Sequence, residues 1–236
     1  MFFNSTYLCY MAPAFLLMLL TSWYVKSAYN RWSRVPSHSG LTGYEAAQRL
    51  IARAGLIGIK IEGVRGNLTD NYDPRTKILH LSQTVAQNPS VASLAVAAHE
   101  LGHAQQDAEG YFPLRFRSAL VPMVNIGSYL GWILIIAGLI LSYAGMALGV
   151  NVAWLGVAIF AGGALFALAT LPVELNASTR ARRLLAETGI ISGSDEEHGV
   201  GTVLNAAALT YVAALVTAIL QLLYYVTLVG GLGRRR

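Results

Sequence analysis

The 236-residue sequence predicts an α-rich integral membrane protein in which about four transmembrane helices carry one small α+β domain. Three observations lead there. Hydrophobic residues make up 55% of the chain and charged residues 12%, with a mean hydropathy of +0.49, far more apolar than a soluble domain of this length requires. Four separate runs reach the roughly 20 mostly apolar residues that cross a bilayer. One long polar stretch, about Lys26 to Arg117, lies between the first and second of those runs.

The first run, "YLCYMAPAFLLMLLTSWYV", covers Tyr7 to Val25. No Lys or Arg precedes it, and Lys26, Arg31 and Arg34 follow, the reverse of a signal peptide's basic start, so residues 1–25 are expected to be an uncleaved anchor. The polar stretch, with its boundary set at 26–118, reads as one unit. "LTGYEAAQRLIARAG" has apolar residues at helical spacing and ends on Gly55. "IKIEGV" and "KILHLS" alternate as strands, and the intervening "NLTDNYDPRTK" reads as a turn-rich loop. "NPSVASLAVAAHELGHAQQDAEG" predicts a helix from a Ser90 cap to Gly110.

The next two runs, Ala119 to Tyr143 and Val152 to Leu171, form a transmembrane hairpin over 119–172, closed by the uncharged "AGMALGVN". Gly127 with Gly131, and Gly145 with Gly149, are spaced for close helix packing. A short helix and loop follow over 173–202, and the last span, about Val203 to Val229, closes the chain over 203–230 before "GLGRRR". The sequence carries a net charge of +5, but its basic residues are dispersed and lack aromatic interleaving, which argues against a nucleic-acid partner and for the lipid bilayer. Cys9 is the one cysteine, so a disulfide framework and a multi-thiolate metal site are both excluded. Any metal must be held by imidazoles and carboxylates.

"HELGH" supplies them. On a helix, residues four apart share a face, so His99 and His103 present two imidazoles to one point, as a zinc ion requires. In the H-E-x-x-H arrangement the carboxylate, here Glu100, is no ligand but a general base that takes a proton from the attacking water. With 5 His and 8 Glu in the chain, the pattern arises by chance in about 0.4% of such sequences. Burying two imidazoles and a carboxylate among alanines is also costly unless something binds them. A catalytic zinc keeps one position open and needs a third protein ligand. Six residues past His103 stands Glu109, where metzincins carry a third His. The best candidate is Glu174 in "LPVELNASTRARRLL", returned to the same membrane face by the hairpin; its bland alternative is a glutamate that favours a helix N-terminus.

These residues, with "GNLTDNYDP", "ILHLS", "SVASLAVAAHELGHAQQ", "LPVELNAS" and "LNAAALTYVAALVTAILQLLYY" in that order, resemble the YugP-like neutral zinc metallopeptidases. That bacterial membrane family is allied to the glutamate-liganded zincins, or gluzincins. The resemblance implies a zincin-like domain, one Zn2+ ion held by His99, His103 and Glu174, and Glu100 as catalytic base. The chain departs from the pattern at two places. Better-known gluzincins carry an Asp four residues after the ligand to orient a histidine, and Ser178 stands there. Asn71 occupies a loop position where the family usually has His, which argues against a metal role for it.

Other residues have readings of their own. His80 is expected to be an exposed strand residue, on a strand that could form the sheet edge where a peptide pairs. Tyr111, Arg180 and His198 are candidate oxyanion stabilisers. Asp107, four residues past His103, reads either as a partner of that histidine or as a solvated helix end. Asp70 and Asp73 lack calcium-loop spacing and read as turn formers.

The resulting expectation is a membrane-embedded zinc-dependent endopeptidase acting on membrane-proximal polypeptide. Glu174 lies three residues past Leu171, about 5 Å at helical rise, which sets the zinc near the bilayer surface. The alternative is a non-catalytic zinc-binding membrane scaffold or regulator, against which the intact Glu100 argues. A transporter is disfavoured because the spans carry no interior charge. Eleven Lys or Arg from Lys26 to Arg117 and three from Arg180 to Arg183 put the active site on the cytoplasmic face of the bacterial cell (inner) membrane. Arg234, Arg235 and Arg236 pull against that orientation.

Overall fold

A computed structural model describes residues 5–233. Arg234 to Arg236, and with them the conflicting C-terminal charges, lie outside the described residues. The order is α1 (Ser5–Trp32), α2 (Gly43–Arg53), β1 (Lys60–Val64), β2 (Asn71–Asp73), β3 (Ile78–Ser82), α3 (Gln83–Gln87), α4 (Val91–Ala108), α5 (Phe112–Tyr143), α6 (Gly149–Glu187) and α7 (Ser194–Gly233). Four of these helices, α1, α5, α6 and α7, are long and apolar enough to cross a membrane. Each runs beyond its apolar stretch, because helical hydrogen bonding continues after hydropathy stops. Glu174 therefore sits inside α6 and does not open a new helix, which removes the helix N-terminus as an explanation for it.

The chain forms two compact units. Among the described residues, one comprises 5–20, 116–171 and 211–233, the apolar parts of the four long helices. Its α5–α6 hairpin turns through Gly145, at φ +79, a backbone conformation glycine adopts without steric cost. The two helices then meet through two glycine pairs one heptad apart, Gly131 facing Gly156 and Gly138 facing Gly149. A Cβ at Gly131 would lie 2.9 Å from the Gly156 carbonyl oxygen, and one at Gly138 2.6 Å from that of Gly149. Close packing thus follows a seven-residue spacing, two helical turns on one face, rather than the four-residue pairs expected from sequence. Gly145 lies in the turn, and a Cβ at Gly127 would meet Ile159 at no less than an ordinary 3.5 Å. Where α1 and α7 contribute, Tyr7 packs edge-on against Tyr224, and the Tyr10 hydroxyl lies 3.2 Å from the Thr227 hydroxyl.

The other unit comprises residues 21–115 and 172–210. At its centre lies α4, whose Leu94, Ala95, Ala97, Ala98 and Leu101 are fully buried. Ser90 caps it by accepting from the Ser93 N–H. α2 packs one apolar face into the same core through Ala46, Ala47 and Leu50. It begins with a reciprocal capping box between Thr42 and Glu45, and Gly55 follows its end at φ +63. The sheet has the order β1-β3-β2, with β1 parallel and β2 antiparallel to β3.

Two expectations are corrected here. "NLTDNYDPRTK" is not all loop, because its Asn71–Asp73 pairs with β3 as strand β2. The Asp73 carboxylate then accepts from the Arg75 N–H and the Thr76 hydroxyl, which closes the turn back into β3. Moreover β3 is the central strand and His80 is half-buried, so the edge strands are β1 and β2 and not the strand that carries His80.

Candidate metal centre

His99 and His103 lie on the same face of α4, their ring planes 85° apart and centroids separated by 5.0 Å. Between them, Gly102 explains how a second helix reaches this face. A Cβ there would lie 2.5 Å from the Ala177 carbonyl oxygen of α6, so only glycine allows the approach. Leu101, the other interior residue of "HELGH", points away into the core and is fully buried.

The approach delivers Glu174, which is 3% exposed. Its Oε2 lies 3.2 Å from His99 Nε2 and 3.4 Å from His103 Nε2. One ligand atom from each of the three residues can be chosen so that all lie within 4.8 Å of one another. A tetrahedral zinc with bonds near 2.05 Å spaces its ligand atoms about 3.3 Å apart. The carboxylate-to-imidazole distances match that spacing, and the donor set of two nitrogens and one oxygen suits zinc chemically. Burial alone would raise the Glu174 carboxyl, but the His103 and His99 contacts hold it below the usual carboxylate range. Burial alone would lower His103, but Glu174 and Glu100 hold it above its ordinary value. The centre therefore favours positive charge at the point where an ion would sit.

Each histidine is aimed by a neutral partner. His103 Nδ1 lies 3.0 Å from Gln106 Oε1. The orientation of that amide is settled by its nitrogen, which donates to the Val173 carbonyl at 2.8 Å and to Asn176 Oδ1 at 2.9 Å, both on α6. Gln106 Oε1 must therefore accept, His103 Nδ1 donates, and Nε2 is left to face Glu174. His99 Nδ1 lies 3.3 Å from the Ser178 hydroxyl, so the serine that replaces the expected Asp occupies the same place in the arrangement. Gln106 is fully buried, and the sequence pattern does not mark it, since helical spacing from His103 points to Asp107.

Glu100 points beside this cluster without joining it. Its Oε2 accepts the Tyr72 backbone N–H of strand β2 at 3.0 Å. Burial raises its pKa, partly opposed by the charges of His99 and His103, giving a carboxylate of greater basicity than one in water. Asp107 accepts the Tyr72 hydroxyl at 3.0 Å and is neither His103's partner nor simply solvated.

The remaining candidates are engaged elsewhere. Arg180 forms a bidentate ion pair with Glu109, at 2.7 and 2.6 Å, and donates to Asn176 Oδ1. Its guanidinium lies over the Tyr111 ring, 5.9 Å from the centroid. His198 packs edge-on against Trp32 near the start of α7. Asp70 fastens the loop before β2 by accepting the Ser82 N–H and hydroxyl. The glutamate-bearing helix and the histidine pair thus bring together three side chains that could hold a metal ion, with an acid beside them.

Comparison with known proteins gives the family. The family model described as "Putative neutral zinc metallopeptidase" matches residues 7–230, and the chain belongs to that family. A relative from Bacillus subtilis (strain 168), "Putative membrane protease YugP", is 41% identical over 202 residues, which are 86% of this chain and 87% of the relative. No solved structure matches.

Proposed function

We propose that the chain is a membrane-embedded zinc-dependent endopeptidase, with His99, His103 and Glu174 holding one Zn2+ and Glu100 acting as general base. The observation that carries the reading is the meeting of three ligand atoms from two helices at zinc-like spacing, with a separate basic carboxylate one residue from the first of them. Bound there, zinc would supply Lewis-acid polarisation of a water and of the scissile carbonyl. The protein's own groups do the rest. Glu100 takes the proton of the attacking water and delivers it to the leaving amine. Gln106 and Ser178 fix the imidazole rings, and Gly102 keeps α6 close enough for Glu174 to reach them.

The substrate class is polypeptide near or within the membrane, since Glu174 follows the apolar end of the third span by three residues. The positive-inside preference supports a cytoplasmic active site, with fourteen basic residues in the two polar segments against three at the C-terminus. Purified protein tested for zinc content and for casein cleavage decides between this reading and a non-catalytic zinc scaffold. Glu100→Gln should keep zinc and lose hydrolysis, while His99→Ala should lose both. Cleavage undiminished in Glu100→Gln removes it from the mechanism, and stoichiometric zinc in His99→Ala removes that ligand.

A further inference from the structure

Strand β2 has three residues and lies at the edge of the sheet, so its ladder to β3 alone holds it weakly. Its two ends are fastened to other parts of the sheet region, Asp70 to Ser82 and Asp73 to the turn at Arg75 and Thr76. Its middle residue is fastened to α4 instead. The Tyr72 N–H donates to Glu100 Oε2 at 3.0 Å, and the Tyr72 phenol donates to Asp107 Oδ2 at 3.0 Å. Glu100 and Asp107 are seven residues apart, two turns along one face of the helix. One residue thus clamps the strand to the helix at two levels. Burial and the Asp107 charge push the phenol's pKa up, so it stays a donor at neutral pH.

We infer that Tyr72 is the positioning residue for Glu100: its backbone N–H occupies one carboxylate oxygen, and its phenol, bonded to Asp107, keeps the strand where that N–H can do so. The other oxygen, Oε1, is then the one turned to the attacking water, and the carboxylate rotamer is set before substrate arrives. A free glutamate would sample several rotamers, and misplacement of a base by a fraction of an ångström is costly in rate. The role rests on the proposed reading of Glu100 as base.

The test uses full-length protein in detergent, with Tyr72→Phe, Asp107→Ala, the double variant and Asp107→Asn, beside wild type and Glu100→Gln. Tyr72→Phe keeps the ring and loses only the phenol bond. It and Asp107→Ala should each lower kcat about tenfold, leave KM within about twofold and keep full zinc content. The double variant should be no worse than either single one, because both remove the same bond. Asp107→Asn, which keeps an acceptor oxygen, should recover most of what Asp107→Ala loses. Independently of activity, amide exchange over residues 70–74 of the zinc-free protein should speed about tenfold in Tyr72→Phe, with α4 unchanged.

Wild-type kcat or wild-type exchange in Tyr72→Phe overturns the inference. So does loss of zinc or of α4 protection in step with activity, which marks Tyr72 as a general fold residue. A wild type no more active than Glu100→Gln would instead sink the catalytic reading itself and the positioning role with it. That result differs from an active wild type matched by Tyr72→Phe, where only the positioning role fails.

Discussion

Gly102→Ala isolates the demand that the metal centre makes on helix packing. The added Cβ would lie 2.5 Å from the Ala177 carbonyl oxygen and 3.1 Å from its carbon, where ordinary contact begins at 3.4 Å. These are backbone atoms of a helix, so no side-chain rotation can relieve the clash, and α4 and α6 must part by roughly 0.9 Å. Overpacking of this kind costs about 1–3 kcal/mol, and exchanging a mid-helix glycine for alanine returns roughly 1 kcal/mol. The net loss of stability is therefore small, about 0–2 kcal/mol. The metal centre is less tolerant. Zinc–ligand distances hold to about 0.2 Å, and Glu174 lies three residues before Ala177 on the displaced helix. Losing it from coordination should weaken zinc binding by at least about 100-fold, beyond the 10- to 100-fold typical of a neighbouring partner. Chelator competition measures the affinity and circular dichroism the folding. Gly201→Ala in α7, where a Cβ meets nothing within 4 Å, serves as the control. Zinc held by Gly102→Ala as tightly as by wild type would refute the argument that close helix approach sets the third ligand.

Four further outcomes are expected. Glu174→Ala should weaken zinc well beyond Ser178→Ala, for which about 10- to 100-fold is the range; equal affinities in the two variants would place the third ligand elsewhere. Gln106→Leu preserves volume but leaves His103 Nδ1 without its acceptor, so zinc affinity should fall about 10- to 100-fold with the fold kept, and an unchanged chelator titration would dismiss the amide's orienting role. Gly138→Val drives side-chain carbons into the backbone of Ala153 and Gly149, and thermal unfolding in detergent should show a clear loss, whereas Gly162→Val, facing open space, should show little. In a Cys9→Ala background, Ile57→Cys, at a position 89% exposed, should resist impermeant thiol reagents in intact cells; ready labelling would reverse the proposed orientation.

The sequence made legible those features whose signals are local or periodic. The pair His99 and His103 reads from helical spacing alone, and Glu174 follows from asking where a hairpin brings the chain back. Strand β2 could not be read, because "NYD" sits among turn formers and becomes a strand only by pairing with β3 and donating to Glu100. Gln106 was hidden for a similar reason. "AQQD" near a helix end looks solvated, and its burial comes from Val173 and Asn176 on a helix 67 and 70 residues away. The length of α6 is not legible from hydropathy, which reports the surrounding solvent, whereas helix continuation depends on backbone bonding and propensity, which "VELNASTRARRLLAE" retains.

The choice of neutral partners for both histidines has an electrostatic reason. If Zn2+ binds as proposed, Glu174 as ligand and Glu100 alongside would balance its two positive charges, and the buried cluster would carry no net charge. An Asp at position 178 would add a further negative charge among groups shielded from water, where uncompensated charge costs most. It would also raise Glu100's affinity for protons before substrate arrives, since like charges within a few ångströms disfavour ionisation. Ser178 and Gln106 offer the oxygen that each imidazole Nδ1–H needs while adding no charge. Orientation and charge balance would thereby be met together at the proposed zinc centre.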